Sequence, residues 1–323
     1  MSKVWDKYPQ VSKELESVKN IIKENIKTSE KYFQDSVIPL VDNGGKMLRA
    51  AFLLLSAKFG KYDKKKMHNL AAIIEILHLA TLIHDDIIDN SKLRRGCESI
   101  QSKYGKEYAV YAGDILFCQC FSMLSQDDYT MDNMRSISKA VKKICMGEIK
   151  QNYFRYTRKV DLKKYIRIVS GKTAALFVLS FSIGAKEAEC DENTVKLLGR
   201  IGYNIGMAFQ VVDDLLDYDG ETKKLGKSAQ SDLKQGYYTL PIILALQEDK
   251  SGELSNILDN SNFNEDEVKS IVDLVKKYNG LEKARKIAER YTQRAFNGIE
   301  QLQDCESKDI LKQIVKKLIN RCY

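Results

Sequence analysis

Apolar residues recur every three to four positions along nearly the whole chain, a spacing that lines one face of an α-helix. Turn-forming residues interrupt this pattern, for example at Asn43-Gly44-Gly45 and Asn279-Gly280. No stretch alternates convincingly between apolar and polar residues, so a β-sheet is not expected. We therefore predict an all-α protein with one domain over residues 1–323 and about ten or more helices. The predicted helices are Val11–Tyr32, Leu48–Lys58, Met67–Asp89, Asp114–Ser125, Met131–Tyr156, Leu162–Lys186, Glu192–Tyr218, Thr239–Gln247, Glu265–Tyr278, Gly280–Leu302 and Lys308–Arg321.

The composition is that of a globular protein with an excess of positive charge. Of the 323 residues, 44% are hydrophobic, which is enough for a sizeable buried core. The formal net charge of +8 suits an anionic partner such as a diphosphate, a nucleic acid or a membrane surface. No helix-turn-helix pattern, zinc-ligand spacing or interleaving of aromatic and basic residues points to nucleic acid, so no nucleic-acid partner is expected.

The cysteines and the apolar stretches favour a cytoplasmic protein. Seven cysteines are an odd number and include no CxxC pair, which is typical of reduced thiols in the cytosol. The first ten residues, MSKVWDKYPQ, contain no apolar signal region. The apolar stretches Ala71–Ile83 and Thr173–Ala185 are too short to span a bilayer, so any membrane contact is expected to be peripheral.

Two aspartate clusters with the same spacing are the most informative feature of the chain. Asp-Asp-Ile-Ile-Asp runs from Asp85 to Asp89, and Asp-Asp-Leu-Leu-Asp runs from Asp213 to Asp217. Each cluster ends a strongly apolar helical stretch, and its outer aspartates lie four residues apart, on one helix face. Like charges at that spacing repel, so a cation between the carboxylates is expected.

Aspartate oxygens without a neighbouring set of cysteines or histidines suit a hard cation such as Mg²⁺. Mg²⁺ usually binds a few carboxylates together with water and the phosphate oxygens of a substrate. A single cluster is often a solvated helix end, whereas two copies of one pattern favour a metal site. The candidate ligands are Asp85, Asp86, Asp89, Asp213, Asp214 and Asp217.

Basic residues beside turns complete the expected charge balance. Two diphosphates and six aspartates require about three Mg²⁺ ions and several cationic side chains. Gly44-Gly45-Lys46 opens a helix, and helix N-termini favour phosphate. Guanidinium groups such as those of Arg94 and Arg95, which follow the first cluster, bind phosphate oxygens in pairs. The basic candidates are Lys46, Arg49, Arg94, Arg95, Lys172 and Lys227.

With these motifs in order, the chain resembles the trans-isoprenyl diphosphate synthases from about Gly44 to Pro241. Met47 and Ala50 stand where the family usually has arginine and proline, and Tyr237 stands where some members have lysine. The resemblance implies an isoprenoid-synthase-type helical bundle around a central cavity, which uses Mg²⁺ to condense isopentenyl diphosphate with an allylic diphosphate. The matching segments are GGKMLR, HDDIIDNSKLRRG, Gly113-Asp114, Gly147-Glu148, Gly171-Lys172-Thr173, GMAFQVVDDLLD and LGKSAQSDLKQGYYTLP.

The resemblance also implies a role for each matching residue. Asp85, Asp89 and Asp213 would be the leading metal ligands. Asp86, Asp214 and Asp217 would support or coordinate the metal, and Lys172 joins the aspartates in the catalytic set. The residues implied for isopentenyl diphosphate are Lys46, Arg49, His78 and Arg95. Those implied for the allylic diphosphate are Arg94, Lys172, Thr173, Gln210 and Lys227.

Within the family, the resemblance is nearest to the catalytic component of heptaprenyl diphosphate synthase. It is carried by LLLSAKFGKYD, DLKQGYYTLP and Arg321-Cys322-Tyr323. It implies a product of six to eight isoprene units for a quinone side chain, made from a farnesyl or geranylgeranyl primer. It also implies a homodimer, or a heterodimer with a regulatory subunit.

The residues before the first cluster bear on product length. Family members with an aromatic residue four or five positions before this cluster stop elongation early. Here those positions are Thr81 and Ala80, both small, so a longer product is expected. Aromatic residues such as Phe117, Phe121 or Phe154 would then form a deeper floor of the pocket.

Several alternatives remain to be weighed. A terpene cyclase or squalene-type synthase would share helices and Mg²⁺ but needs no site for isopentenyl diphosphate. A carboxylate-bridged di-iron protein needs paired Glu-x-x-His motifs, and only Glu75 to His78 provides one. A shorter-chain farnesyl or geranylgeranyl diphosphate synthase stays open. So does a non-catalytic partner subunit, although such a subunit is expected to have lost aspartates that this chain retains.

Overall fold

The structure, a computed structural model, describes residues 4–126, 129–218, 230–260 and 263–319. The helices are α1 Pro9–Ile26, α2 Lys31–Asp42, α3 Leu48–Ala57, α4 Lys64–Ile88, α5 Ile100–Tyr104, α6 Lys106–Gln126, α7 Met131–Tyr153, α8 Leu162–Val169, α9 Ala175–Glu187, α10 Glu192–Leu216, α11 Ser231–Lys234, α12 Leu240–Leu246, α13 Glu253–Ile257, α14 Glu265–Lys277, α15 Gly280–Glu300 and α16 Glu306–Ile319. A π-helical segment, Ser170–Ala174, joins α8 to α9. The predicted all-α fold is confirmed.

The N-terminal region differs most from the prediction, because the single helix expected at Val11–Tyr32 is two helices, α1 and α2. The backbone of Lys27 is extended, with ψ at 126°. The hydroxyl of Thr28 accepts a hydrogen bond from the amide of Glu30 at 3.0 Å. A threonine hydroxyl that binds the nearby backbone competes with the helix, which explains the break.

The other predicted helices agree with the structure in most of their extent. Helix α6 begins at Lys106, ahead of the predicted Asp114. The short helices α5, α11 and α13 have five, four and five residues, too few to produce a helical period in the sequence.

A small β-hairpin departs from the expectation that no sheet is present. Strand β1, Leu93–Arg94, pairs antiparallel with β2, Cys97–Glu98, across the two-residue turn Arg95-Gly96. Both turn residues have a positive φ, 53° and 77°, as a type I′ turn requires. Strands of two residues cannot show an alternating pattern, so the sequence held no signal for them.

Contacts group the chain into two compact units, each formed by three segments. The first unit comprises Met1–Ile137, Ser180–Leu198 and Gln303–Leu311. The second unit comprises Ser138–Leu179, Gly199–Leu302 and Lys312–Tyr323. The first aspartate cluster belongs to the first unit and the second cluster to the second unit. The single domain over residues 1–323 stays a prediction.

The first unit is built on α4, a helix of 25 residues that packs against α1, α3 and α6. Asp63 caps its N-terminus by accepting a hydrogen bond from the amide of Lys66 at 3.0 Å. Every side chain from Leu70 to Leu77 is buried, as expected for a helix surrounded by other elements. This packing fixes the C-terminal end of α4, where the first aspartate cluster lies.

The second unit has a core of aliphatic and tyrosine side chains contributed by α12, α13, α14 and the segment after α10. Gly280 begins α15 against α12, where a Cβ atom would lie 2.3 Å from the carbonyl oxygen of Pro241. Tyr238 donates a hydrogen bond from its hydroxyl to the carbonyl oxygen of Leu258 at 2.9 Å. These contacts fix the start of α12, whose first amide reaches the second aspartate cluster.

One helical stretch in the described ranges, Leu162–Glu187, is long and apolar enough to cross a membrane by length and composition. Its most apolar window has a mean hydropathy of 1.6, and 72% of that window is buried inside the protein. Such burial is typical of a core helix. The stretch is longer than the predicted apolar run because the π-helical segment joins α8 and α9 without a break.

Candidate active site

The first aspartate cluster occupies the C-terminal end of α4. Asp86 is buried, with 2% of its surface exposed, whereas Asp85 and Asp89 are half-buried. Carboxylates at a helix C-terminus are disfavoured by the helix dipole, so the cluster gains from a bound cation. The outer two aspartates lie one turn apart, and the amide of Asp89 donates to the carbonyl oxygen of Asp85 at 2.8 Å.

Arg94, on strand β1, forms an ion pair with the buried Asp86. Its Nε donates to Oδ1 of the aspartate at 2.8 Å, and its Nη2 contacts the same oxygen. A buried carboxylate is stable only when it is paired in this way. The pairing favours support over metal coordination as the role of Asp86, the two options that the sequence left open.

Arg95 lies against the glycine turn before α3. Its Nη1 donates a hydrogen bond to the carbonyl oxygen of Leu40 at 3.0 Å. A Cβ atom at Gly44 would lie 2.7 Å from the carbonyl oxygen of Val41 and 3.2 Å from Nη1 of Arg95. Glycine at this position therefore lets the turn pass close to the guanidinium group.

Arg49, in the first turn of α3, reaches His78 on α4, with 3.0 Å between Nη1 and Nε2. A guanidinium group only donates, so Nε2 accepts the hydrogen bond and the ring proton lies on Nδ1. Burial, reinforced by the positive charges of Arg49, Arg95 and Arg94, lowers the pKa of His78 well below 6.5. His78 is therefore neutral at pH 7.

Glu75 ties α4 to the start of α3. Its Oε1 accepts a hydrogen bond from the amide of Ala50 at 3.0 Å. Alanine has the N–H that proline, the usual family residue at this position, lacks. Because Glu75 and His78 are held by Ala50 and Arg49, they are not arranged as di-iron ligands, and that alternative is set aside.

The second aspartate cluster repeats the arrangement of the first. Asp214 is buried, with 2% of its surface exposed, whereas Asp213 and Asp217 are half-buried. The carboxylate of Asp214 accepts hydrogen bonds from Tyr165 Oη at 2.6 Å, from Gln210 Nε2 at 2.9 Å and from the amide of Leu240 at 3.4 Å. Burial raises the pKa of Asp214 to about 7, although these bonds oppose the shift.

Gln210 connects Asp214 to a second predicted substrate residue. Its Oε1 accepts a hydrogen bond from the hydroxyl of Thr173 at 2.7 Å. Thr173 and Gln210, both implied for the allylic diphosphate, are therefore in direct contact beside the second cluster.

Lys172 lies in the π-helical segment, with its Nζ 3.0 Å from Oε2 of Glu148 on α7. A Cβ atom at Gly147 would lie 2.5 Å from the amide nitrogen of Lys172, and one at Gly171 would lie 2.8 Å from the carbonyl oxygen of Lys143. The two glycines let α7 pack directly on the backbone that carries Lys172. Single π-helical turns are frequent at functional sites.

Two predictions fall outside the described residues. Lys227, the remaining candidate for the allylic diphosphate, lies there, and so does the segment Arg321-Cys322-Tyr323. Both stay predictions.

The residues expected to set product length lie on α4. Ala80 is fully buried, whereas Thr81 is half-buried and donates from its hydroxyl to the carbonyl oxygen of His78 at 2.8 Å. Thr81 lies one turn before Asp85, so its side chain is near the face that carries the outer aspartates.

The aromatic candidates for a pocket floor differ in their surroundings. Phe117 is half-buried against His84, with ring centroids 5.7 Å apart. Phe121 is 56% exposed. Phe154 is half-buried and packs edge-to-face with Tyr153. Of the two candidates in the first unit, Phe117 is therefore the more buried one, and its role as a pocket floor stays a prediction.

The oxygen ligands of the two clusters fit a hard cation. Among the described residues, no group of three or more His, Cys, Asp or Glu side chains could hold a metal ion by itself. Mg²⁺ does not need such a group, because it usually binds one or two carboxylates together with water and phosphate oxygens. The outer, half-buried aspartates of each cluster match this requirement, and the buried middle aspartates do not.

Sequence reasoning missed two residues that shape these sites. Glu75 was noted only as half of a Glu-x-x-His motif, although a buried charge in an apolar helix is itself a signal of a specific partner. Tyr165 gave no signal, because its contact with Asp214 joins residues 49 positions apart.

Comparison with known proteins identifies a family for the chain. The family model of polyprenyl synthetase matches residues 30–275. Heptaprenyl diphosphate synthase component 2 of Bacillus subtilis is 31% identical over 318 residues, which cover 98% of this chain and 90% of that protein. Geranylgeranyl diphosphate synthase of Sulfolobus acidocaldarius is 33% identical over 295 residues, which cover 88% of this chain and 89% of that protein.

Solved structures show the same fold. Geranylgeranyl pyrophosphate synthase from Lactobacillus brevis has a TM-score of 0.93 at 32% identity, with 99% of each chain covered. A polyprenyl synthase from Caulobacter crescentus CB15, complexed with calcium and isoprenyl diphosphate, has a TM-score of 0.90 at 27% identity, with 96% of this chain and 95% of that chain covered.

The helical fold is that of the trans-prenyl diphosphate synthases. The chain belongs to the polyprenyl synthetase family, a family of prenyltransferases.

Proposed function

We propose that the chain condenses isopentenyl diphosphate with an allylic diphosphate to make an all-trans polyprenyl diphosphate, in a reaction that requires Mg²⁺. The observation that carries the proposal is the arrangement repeated at both clusters. In each, the outer aspartates are half-buried and the middle aspartate is buried and bound to a candidate diphosphate ligand, Arg94 in one case and Gln210 in the other. A cluster with only a structural role would not require this difference in burial between its outer and middle aspartates.

The outer aspartates would bind the metal, and the middle aspartates would fix the side chains that surround it. Mg²⁺ bound there supplies positive charge that neutralises the diphosphate leaving group. Arg94, Lys172, Thr173 and Gln210 would bind the allylic diphosphate, with Lys227 as a further cation. About three ions per site would balance the charge of two diphosphates and six aspartates when these basic residues are included. The proposed metal ligands are Asp85, Asp89, Asp213 and Asp217.

The reaction forms one carbon–carbon bond and breaks one carbon–oxygen bond. The allylic C–O bond breaks and its electron pair leaves with the diphosphate. The isopentenyl double bond then attacks the allylic carbon, and the proton released from isopentenyl passes to the departing diphosphate. Lys46, Arg49, His78 and Arg95 would hold isopentenyl diphosphate in place. The apolar wall of α4 would keep water from the allylic cation.

We propose a product of six to eight isoprene units, with heptaprenyl favoured, for a quinone side chain. The small, half-buried Thr81 supports this length, and so does the full-length similarity to a heptaprenyl diphosphate synthase component. The comparable similarity to geranylgeranyl diphosphate synthases supports a shorter product as the alternative. A farnesyl or geranylgeranyl diphosphate primer suits the longer product, whereas the shorter product requires a primer that is shorter than itself.

Assembly with a partner is a further part of the proposal. Helix α6 carries four exposed apolar side chains on one side, Val110, Tyr111, Ile115 and Phe121. An exposed apolar patch of this kind is typical of an interaction surface. The partner would be a second copy or a regulatory subunit, and the name component 2 of the Bacillus relative supports the second option. We place the assembly in the cytoplasm, and any contact with a membrane would be peripheral.

Mass analysis of the products tests the proposed length. The pure chain is incubated with farnesyl diphosphate, excess isopentenyl diphosphate and Mg²⁺. We expect products of six to eight units, and Thr81→Phe should shift them towards geranylgeranyl diphosphate by filling the space beside the cluster. Leu82→Phe, the adjacent half-buried position on another face of α4, serves as control and should leave the length unchanged. A wild-type product no longer than geranylgeranyl diphosphate would establish the shorter-chain alternative.

A further inference from the structure

The N-terminal turn before α1 contacts the glycine turn that carries Lys46. Trp5 is fully buried, and its indole Nε1 donates a hydrogen bond to the carbonyl oxygen of Lys46 at 2.6 Å. The two residues lie 41 positions apart in the sequence and belong to the same compact unit. The contact therefore joins two remote segments through one buried hydrogen bond.

The turn that Trp5 contacts does not define its own conformation. Gly44 and Gly45 lack the Cβ atom that would restrict their backbones. Met47, the residue after Lys46, adopts a left-handed φ of 48°, and its own side chain does not cap the helix that follows. A residue with a Cβ atom stays in that region only when its surroundings determine the backbone. The turn therefore needs contacts from outside to hold one shape.

Two hydrogen bonds supply those contacts from opposite ends. Trp5 binds the carbonyl of Lys46 before the left-handed residue, and Glu75 binds the amide of Ala50 after it. Trp5 is itself held, because its carbonyl oxygen accepts a hydrogen bond from the amide of Tyr8 at 2.8 Å, directly before α1 begins. The indole N–H is therefore held in place, and its hydrogen bond restrains the peptide group of Lys46.

We propose that Trp5 is a positioning residue for isopentenyl diphosphate, which acts by fixing the peptide of Lys46 so that the lysine side chain meets the diphosphate. The proposal rests on the function proposed above for this turn. It makes the N-terminal segment part of the substrate site, although that segment contains none of the family motifs.

Steady-state kinetics of Trp5→Phe test the proposal, because phenylalanine keeps an aromatic ring and removes the N–H. We expect the KM for isopentenyl diphosphate to rise about three- to tenfold, the effect of one lost hydrogen bond. The kcat and the KM for the allylic diphosphate should stay within about twofold of wild type. An unchanged KM for isopentenyl diphosphate, or an equal rise for both substrates, would overturn the proposal.

Tyr129→Phe is the matched control. Tyr129 is also buried, and its hydroxyl donates to the carbonyl oxygen of another lysine, Lys66, at 3.3 Å, away from the glycine turn. This variant should change neither KM. A selective rise for isopentenyl diphosphate in the control as well would show that the effect is structural and would overturn the proposal.

The intrinsic fluorescence of wild-type protein gives a second measurement that needs no variant of Trp5. Trp5 is the only tryptophan of the chain, so the indole emission reports on this contact. Titration with inorganic pyrophosphate should change the emission with saturation, and Lys46→Ala should remove that change. Emission that stays constant while calorimetry shows pyrophosphate binding that Lys46→Ala removes would contradict the proposal.

The two measurements also separate this inference from the proposed function. A pyrophosphate signal that depends on Lys46, in a protein that makes no prenyl product, would uphold the positioning role and refute the synthase activity. An active synthase whose Trp5→Phe variant has wild-type KM values would refute the positioning role alone.

Discussion

At the scale of residues, the middle aspartate of each cluster differs from its neighbours in burial and bonding. Asp86 and Asp214 are buried and hydrogen-bonded to protein groups, whereas the outer aspartates are half-buried. One sequence pattern therefore contains two kinds of carboxylate. The outer ones are suited to a metal and the middle ones to holding Arg94 and Gln210 in place.

This division predicts opposite effects for two adjacent substitutions. Asp214→Asn puts an amide donor against the donors of Tyr165, Gln210 and Leu240, so we expect a loss of about 1–3 kcal/mol of stability. Asp213→Asn should leave stability within about 0.5 kcal/mol. It should lower kcat at least about a hundredfold, because a metal ligand is lost. Urea unfolding and turnover assays measure both effects, and the same loss of stability in both variants would contradict the division.

His78 predicts a dependence of stability on pH. Burial, together with the positive charges of Arg49, Arg95 and Arg94, lowers its pKa well below 6.5. Below pH 6.5 the unfolded chain binds a proton that the folded chain does not, so the free energy of unfolding falls as pH falls. At pH 5.5 the loss from this residue should be on the order of 1 kcal/mol.

Urea unfolding of wild type and His78→Gln at pH 7.5 and pH 5.5 measures this effect. The glutamine oxygen can still accept the hydrogen bond of Arg49 and does not titrate. Wild type should therefore lose more stability than the variant on acidification, by on the order of 1 kcal/mol. An identical pH dependence in both proteins would show that the histidine is not held neutral.

Residue identities at the site were readable from the sequence, but their environments were not. The spacing of the two clusters placed the outer aspartates on one face. It did not reveal that Asp86 is paired with Arg94 or that Arg49 lies on His78, because those contacts depend on how separate helices and the hairpin pack. Glu75 shows the same limit, since its partner is a backbone amide of another helix.

At the scale of elements, α7 packs closely on the π-helical segment that carries Lys172, which we propose binds the allylic diphosphate. Gly147 permits this packing, and a Cβ atom there would lie 2.5 Å from the amide nitrogen of Lys172. Gly147→Ala should push the two elements apart, with a loss of about 1–3 kcal/mol of stability. It should also raise the KM for the allylic diphosphate more than that for isopentenyl diphosphate.

Lys150→Ala provides the control on the same helix, since Lys150 is exposed and an alanine there should be nearly neutral. Kinetics with each substrate varied in turn and urea unfolding give the comparison. If Gly147→Ala matched the control in stability and in both KM values, the close packing would have no role in positioning Lys172.

The helical elements were largely predictable because their apolar period is long and regular. The break between α1 and α2 was not, since it depends on one threonine hydroxyl binding the backbone. The hairpin that presents Arg94 was also missed, because two-residue strands leave no pattern. Its turn, Arg95-Gly96, contains an arginine at positive φ that no local preference would indicate.

At the scale of the whole molecule, the exposed apolar side of α6 predicts association. Tyr111 is 68% exposed and is the most exposed of its four apolar side chains. Light scattering of wild type should give at least a dimer. Tyr111→Lys should weaken that dimer at least about tenfold, because an interface would have to bury an unpaired charge.

Met131→Lys, at an exposed apolar position at the start of α7, is the control and should leave association unchanged. A monomeric wild type with full activity would contradict the predicted assembly. Composition and periodicity gave no information on this surface. A few apolar residues on the polar side of an amphipathic helix do not change its apolar period.

Metal-dependent condensation at the two clusters is the central claim, and incorporation of labelled isopentenyl diphosphate tests it most directly. The pure chain is given farnesyl diphosphate and labelled isopentenyl diphosphate, with Mg²⁺ or with a chelator, and the prenyl products are extracted and counted. The account predicts incorporation with Mg²⁺, its loss on chelation, its return when Mg²⁺ is restored, and its absence in Asp85→Asn. Equal incorporation without the metal or by Asp85→Asn, or none by wild type with any allylic primer, would contradict it.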